Sequence, residues 1–201
     1  MKKDLCSKHS LKEIEKVLIR AGIEIARKGE GALFVISDKI NYKRMIKQKI
    51  SSFSIFDCDA RKLLVSIASI DGAVIINHRG VVIDYGVKLG SKKVLKGFGT
   101  RHAAAYSSSF AKRTVSILVS QEERKIKVFS RGKIVAQIDA LEKEVEKKVD
   151  DVHDLLESVG VGALSALGVS AIAPGLGIAI VPGIMLFGVP YYIFKKFNEK
   201  R

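Results

Sequence analysis

Ser69-Ile70-Asp71-Gly72-Ala73-Val74-Ile75-Ile76 and Gly99-Thr100-Arg101-His102-Ala103-Ala104-Ala105 are the two pieces of sequence on which the fold turns. In the first, Asp71-Gly72 ends one element, and the apolar run from Ala73 to Ile76 reads as a short buried strand. In the second, a glycine-hinged loop enters a helix. Thr100 is a candidate cap, and three alanines continue the helix with strong helix formers. The free N–H groups and dipole of a helix N-terminus favour anions, and Arg adds bidentate phosphate recognition. An acid at a strand entrance that faces an Arg-His pair at a helix start therefore points to a polyphosphate site, with one carboxylate for a metal or a hydroxyl.

Working outward, Ser10 and Glu13 form a Ser-x-x-Glu capping box ahead of an apolar repeat. Leu11, Ile14, Val17, Leu18, Ala21 and Ile25 share one helical face, which predicts a helix over 11–28 closed by Gly29. Residues 32–37 read as a buried strand. Asp57 or Asp59 is placed to cap a short helix that runs to Ala68. Asn77-His78-Arg79-Gly80 reads as a hairpin turn into a strand over 81–87, with His78 at the surface. Strands over 115–120, 125–130 and 133–138 complete the pattern. The fold class is α/β, a mixed β-sheet with helices packed against it.

A chain of 201 residues suits one domain with an appendage. Its formal net charge of +14 speaks of partners such as nucleotide, anionic lipid or nucleic acid, and not of fold. Residues 85–121 contain no Asp or Glu but carry Lys88, Lys92, Lys93, Lys96, Arg101, Lys112 and Arg113. That run suits a triphosphate. A nucleic-acid surface usually adds exposed aromatics for stacking, and only Phe98, Tyr106 and Phe110 are nearby, so nucleic acid ranks last among the partners. Cys6 and Cys58 are too few for a disulfide framework. There is no apolar run behind Met1 of the kind a signal peptide needs.

Beyond 138, Leu141, Val145, Val149, Val152 and Leu156 recur at helical spacing among charged residues, which predicts an amphipathic stalk helix over 139–157. Residues 158–194 hold no charged residue, and Lys195, Lys196, Lys200 and Arg201 follow. The expectation for 158–201 is a C-terminal apolar helical hairpin with a basic tail. It would anchor the chain in a membrane and leave the domain over 1–138 on the cytoplasmic side.

Asp-Gly-Ala at 71–73 is followed in order by Gly-Thr-Arg-His at 99–102. Gly31-Ala32-Leu33-Phe34-Val35-Ile36 lies upstream of both, and Val119-Ser120-Gln121-Glu122 and Lys125-Ile126-Lys127-Val128 lie downstream. This ordered set resembles the diadenylate cyclase (DAC) family over residues 29–138. The resemblance implies an enzyme that joins two ATP molecules into cyclic di-AMP, with a divalent metal, Mn or Mg. It also implies a face-to-face homodimer or a higher array that contains one. Asp71 would bind the metal and help activate the ribose 3′ hydroxyl. Thr100, Arg101 and His102 would hold phosphate, Gly72 would let the backbone approach the nucleotide, Ser120 would line the pocket, and Glu122 would assist the metal. Ala103 stands where the family usually has a second Arg, and Gln121 stands where it has the first acid of a pair. Those two departures leave open a degenerate relative that senses nucleotide without turnover.

Overall fold

The computed structural model describes residues 9–90, 99–149, 171–173, 178–181 and 184–187. Helix α1 (Leu11–Lys28) begins at the capping box, where the Glu13 N–H donates to Ser10 Oγ at 3.2 Å and the Ser10 N–H donates to Glu13 Oε2 at 2.7 Å. It ends at Gly29, which is left-handed with φ 82°. The N–H groups of Gly29 and Glu30 donate back to the Ala26 and Ile25 carbonyls. This closure satisfies two carbonyls that the last helical turn leaves without partners. Ile14, Leu18, Ala21 and Ile25 are fully buried on one side of the helix.

Strand β1 (Ala32–Ile36) is buried along its whole length. Strands β2 (Tyr42–Arg44) and β3 (Phe53–Ser54) and helix α2 (Ala60–Ala68) lead from it to β4 (Ala73–Ile76) and β5 (Val81–Leu89). Helix α3 (Thr100–Ser108) then precedes β6 (Val115–Ser120), β7 (Lys125–Ser130) and β8 (Lys133–Asp139). β1 pairs in parallel with β4 and antiparallel with β6. Alternation along β1 divides the core. Phe34 and Ile36 join Val74, Ile76, Ile117 and Val119 under α1 and α2, whereas Leu33 and Val35 join Ala73, Ile75, Leu118 and Phe129 under α3. α1 lies close on the sheet at Gly22, where a Cβ would meet Val119 Cγ2 at 3.2 Å and Ile126 Cγ1 at 3.3 Å.

The hairpin between β4 and β5 turns as expected. Asn77 Oδ1 accepts from the Arg79 and Val81 N–H groups, each at 2.9 Å. His78 is not at the surface as the turn suggested. Its side chain is mostly buried, and Nδ1 lies 2.8 Å from Asp38 Oδ2, which ties the turn to the loop after β1. Asp59 stands at the N-cap of α2 without a side-chain cap bond, while Asp57 Oδ2 accepts from the Ser54 N–H.

The expected stalk starts differently. Glu144 has φ 60°, the described helical residues after it are 145–149, and Val145 and Val149 are buried in the core cluster that holds α1. The Arg27 Nε–H donates to the Ala140 carbonyl at 2.9 Å, and Arg27 pairs with Glu146 at 3.1 Å. This part of 139–157 packs back onto the domain because valines at that spacing find apolar partners there. The remainder of the stalk lies outside the described residues.

Most of the helical hairpin expected over 158–201 lies outside the described residues. Where described, these residues are strands β9 (Ala171–Ala173), β10 (Ile178–Val181) and β11 (Ile184–Phe187). Among the described residues the sheet has 11 strands, in the order β2-β5-β4-β1-β6-β7-β8-β11-β10-β9 with β3 on β5. β11 pairs antiparallel with β8, Ile184 opposite Ile138, and Ile184 is 3% exposed in the core. Two causes act together. Gly and Pro disfavour helix in this stretch, and β8 would otherwise present an unpaired edge. Among the described residues, no helix is long and apolar enough to cross a membrane.

Truncating Ile184 tests this docking. Ile184→Ala is expected to destabilise the full chain by about 2–4 kcal/mol in urea unfolding, as for a buried aliphatic side chain. A tail that stands apart from the core predicts no change in the midpoint.

Candidate functional site

The strand directions gather the chemistry at one end of the sheet. β1 and β4 both start there, and antiparallel β6 ends there, with Val119 opposite Ala32. Gly31, Asp71-Gly72 and the turn after Ser120 are therefore neighbours, and α3 begins beside them. Gly99, not Thr100, is the N-cap of α3, and among the described residues no side chain caps the helix. Thr100 is the first helical residue and is exposed.

Arg101 crosses this end. Its Nη2 lies 3.3 Å from Asp71 Oδ1. Its guanidinium also lies over Gly31, where a Cβ would come within 2.9 Å of Arg101 Nη1 and 3.3 Å of the Val119 carbonyl. Glycine at position 31 leaves the room that the arginine fills. Arg101 Nε is buried and has no hydrogen-bond partner among the described residues. A buried donor without a partner is costly, and an anionic oxygen would satisfy it. The Asp71 side chain is 87% exposed and accepts from its own neighbour, the Gly72 N–H, at 3.0 Å. An ion pair this exposed adds little stability. Its consequence is placement, a carboxylate held beside a guanidinium with oxygen turned to solvent.

Gly72 has φ 109°, and a Cβ there would lie 2.7 Å from Gly86 C and from Val87 N and 2.8 Å from Met45 Cε. The close approach that demands glycine is to β5. The sequence reading assigned it to the nucleotide, and the backbone of β5 fills that space.

His102 is half-buried, with Nε2 3.4 Å from Lys127 Nζ. Burial holds the imidazole below the ordinary histidine range. The Lys127 charge adds to that, and Glu123 and Glu122 oppose it. Lys127 is buried in β7 and donates to Glu123 Oε1 at 2.6 Å, and this bond lowers the Glu123 carboxyl below its usual range. Ser120 is buried, and its Oγ accepts from the Glu123 N–H at 3.3 Å, so it braces the turn that carries Glu122. Glu122 itself is exposed. Two residues on, Arg124 donates to the Ala26 carbonyl at 3.0 Å and anchors the turn on the end of α1.

The structure thus joins Asp71 to Arg101, and His102 to the Ser120 turn through Lys127 and Glu123. Sequence reasoning did not single out Gly31, Glu123 or Lys127 for the site. Lys127 carried a signal, a cation between Ile126 and Val128 in an apolar strand, two residues from Phe129 on the α3 face. For a metal, the described residues hold no cluster of three or more His, Cys, Asp or Glu. Asp71 nevertheless suits Mg or Mn. These ions take hard oxygen donors and are commonly held by one or two carboxylates with substrate phosphates and water completing the shell. Exposed Glu122 has the same donor chemistry.

A family model described as DisA bacterial checkpoint controller nucleotide-binding matches residues 19–134. A diadenylate cyclase of Methanocaldococcus jannaschii is 38% identical over 143 residues, which are 66% of this chain and 46% of that protein. The chain thus spans less than half the length of that relative. Among solved structures, a cysteine double mutant of DacA from Staphylococcus aureus aligns at 23% identity with a TM-score of 0.47, covering 71% of this chain and 95% of that one. A hypothetical membrane spanning protein from Bacillus cereus aligns at 21% identity and a TM-score of 0.45, covering 61% and 62%.

Two substitutions and a pH series check the site's construction. Gly72→Ala is expected to cost about 2–4 kcal/mol in urea unfolding, because strain at positive φ adds to a backbone clash. Gly90→Ala, with no described residue within 4 Å of its Cβ, is expected to stay within about 0.5 kcal/mol. His102 titrates below its unfolded value, so the unfolded chain binds the proton first as pH falls. Stability is expected to drop as pH is lowered below about 6.5, and His102→Gln is expected to flatten that slope.

Proposed function

The chain belongs to the DisA bacterial checkpoint controller nucleotide-binding family, whose model spans its residues 19–134, and on that premise we propose that it is a diadenylate cyclase acting on ATP. The observation that carries this reading is Arg101, which has a buried Nε without a partner among the described residues and a guanidinium beside a solvent-facing carboxylate, Asp71. A triphosphate meets both halves of that arrangement, phosphate oxygens at the arginine and charge that needs neutralising near the acid.

The reaction forms two phosphodiester bonds. In each, a ribose 3′ oxygen attacks the α-phosphorus of the other ATP, the bond to the β,γ-pyrophosphate breaks, and the hydroxyl proton leaves. Arg101 holds phosphate and stabilises the charge that moves onto the leaving pyrophosphate. Neutral His102 and the uncapped first turn of α3 supply further donors to phosphate oxygen. Asp71 orients the attacking hydroxyl and, with Glu122, would hold a divalent cation, which when bound neutralises triphosphate charge. One chain offers one such site, and the product needs two nucleotides in opposed orientation. Two chains therefore face each other as a homodimer during turnover, which turns a three-body encounter into a positioned one. The catalytic domain works where ATP is, in the cytoplasm.

The test is incubation of the full chain with ATP and Mn²⁺ or Mg²⁺, with nucleotides separated by chromatography. Cyclic di-AMP and pyrophosphate are the expected products. Asp71→Asn and Arg101→Ala are each expected to lower the rate by at least about 10²-fold. ATP binding with no product from the wild type would replace this reading with a nucleotide sensor.

A further inference from the structure

Among the described residues, Lys127 is the one Lys or Arg that is buried, at 5% exposed. A buried ammonium is costly unless it is paired and hydrogen-bonded. Glu123 meets that need from one side at 2.6 Å. On another side lies His102 Nε2 at 3.4 Å. The chemistry of that second contact is one-directional. An ammonium carries only N–H donors and no lone pair, so a ring nitrogen facing it must present its own lone pair. A neutral imidazole has one N–H, and with Nε2 as acceptor that proton is on Nδ1.

We infer that Lys127 is a positioning residue that fixes His102 as the Nδ1–H tautomer, so that the ring enters the reaction as a neutral hydrogen-bond donor from Nδ1. The inference rests on the cyclase reading only for what the donor serves, a phosphate oxygen of ATP. The tautomer itself follows from the local geometry. Glu123 holds the ammonium in place, the Ser120 hydroxyl braces the Glu123 backbone, and Arg124 fastens the same turn to α1. The α1 terminus thereby helps set the state of a histidine on α3. Register supports the placement, since Lys127 stands opposite Leu118 on β6, and Leu118 lies on the face that α3 covers.

The experiment is long-range ¹H–¹⁵N NMR of the histidine rings in the ¹⁵N-labelled full chain without nucleotide, with His102 assigned by the His102→Gln variant. The expected wild-type pattern is a protonated Nδ1 and an unprotonated Nε2. A protonated Nε2 in the wild type overturns the inference without any variant at Lys127. Lys127→Met is expected to move His102 toward the Nε2–H form, and Lys127→Arg, which keeps a donor-only cation, is expected to preserve Nδ1–H. An unchanged ring in Lys127→Met overturns the role of Lys127. In the cyclase assay, kcat is expected to fall roughly tenfold or more for Lys127→Met, as for other partners that orient a functional histidine, and to recover in Lys127→Arg. A kcat unmoved by Lys127→Met overturns the positioning role. A wild type that shows the Nδ1–H pattern yet makes no cyclic di-AMP upholds the tautomer and removes the cyclase reading, so the two failures are separate.

Discussion

Strand β1 is buried on both faces and paired along both edges, parallel to β4 and antiparallel to β6. Much else follows from that constraint. A five-residue strand with no solvent side needs apolar residues at every position, and Ala32-Leu33-Phe34-Val35-Ile36 supplies them. A parallel neighbour on one edge and an antiparallel one on the other bring two strand starts and one strand end together. Backbone N–H and C=O groups at such a place are not all used by the ladder, and the chain there is loop. The functional side chains stand on these loops while the sheet behind them stays fixed.

Charge is arranged at that end with more economy than the net +14 suggests. Three cations each have a stated neighbour. Arg101 reaches Asp71, Lys127 reaches Glu123, and Arg124 reaches the carbonyls that end α1. The three differ in exposure and so in consequence. The Arg124 contact places a guanidinium at the negative end of a helix dipole and fixes a turn. Lys127 is buried, and its charge needs Glu123 to be tolerable at all. Of the three, only Arg101 keeps a buried donor without a partner among the described residues, and only its acid, Asp71, opens broadly to solvent. The asymmetry separates what holds the site together from what is offered to a ligand.

Local patterns were legible in the sequence where a single element satisfies them. The capping box of α1, its glycine terminus and the Asn77 hairpin turn depend on residues a few positions apart, and the structure has them as the spacing implied. The pairing of Asp71 with Arg101 also came through, because an acid and a base were read into one site before their distance was known. Contacts set by tertiary packing were not legible. Nothing around Gly72 in sequence says that the backbone of β5 lies against it. Nothing around His78 says that Asp38, forty residues earlier, draws it inward. Gly31 reads as a loop glycine until the Arg101 guanidinium is seen lying over it. Lys127 was visible as an anomaly in an apolar strand, but its partner on α3 belongs to another part of the chain.

The tail shows what hydropathy alone leaves open. A run without charge is equally at home in lipid and against a protein core, since both remove apolar surface from water. What separates the two is the backbone. In lipid every N–H and C=O must be satisfied within the segment or by a closed barrel, which favours an uninterrupted helix. Pro174, Pro182 and Pro190 work against that, and so do the many glycines between 158 and 188. A sheet with an open edge offers the alternative. β8 provides that edge, β11 takes it in antiparallel register, and Ile184 enters the same core as Leu18 and Phe34. The pairing gives the β8 backbone partners along that edge and takes the Ile184 side chain out of water.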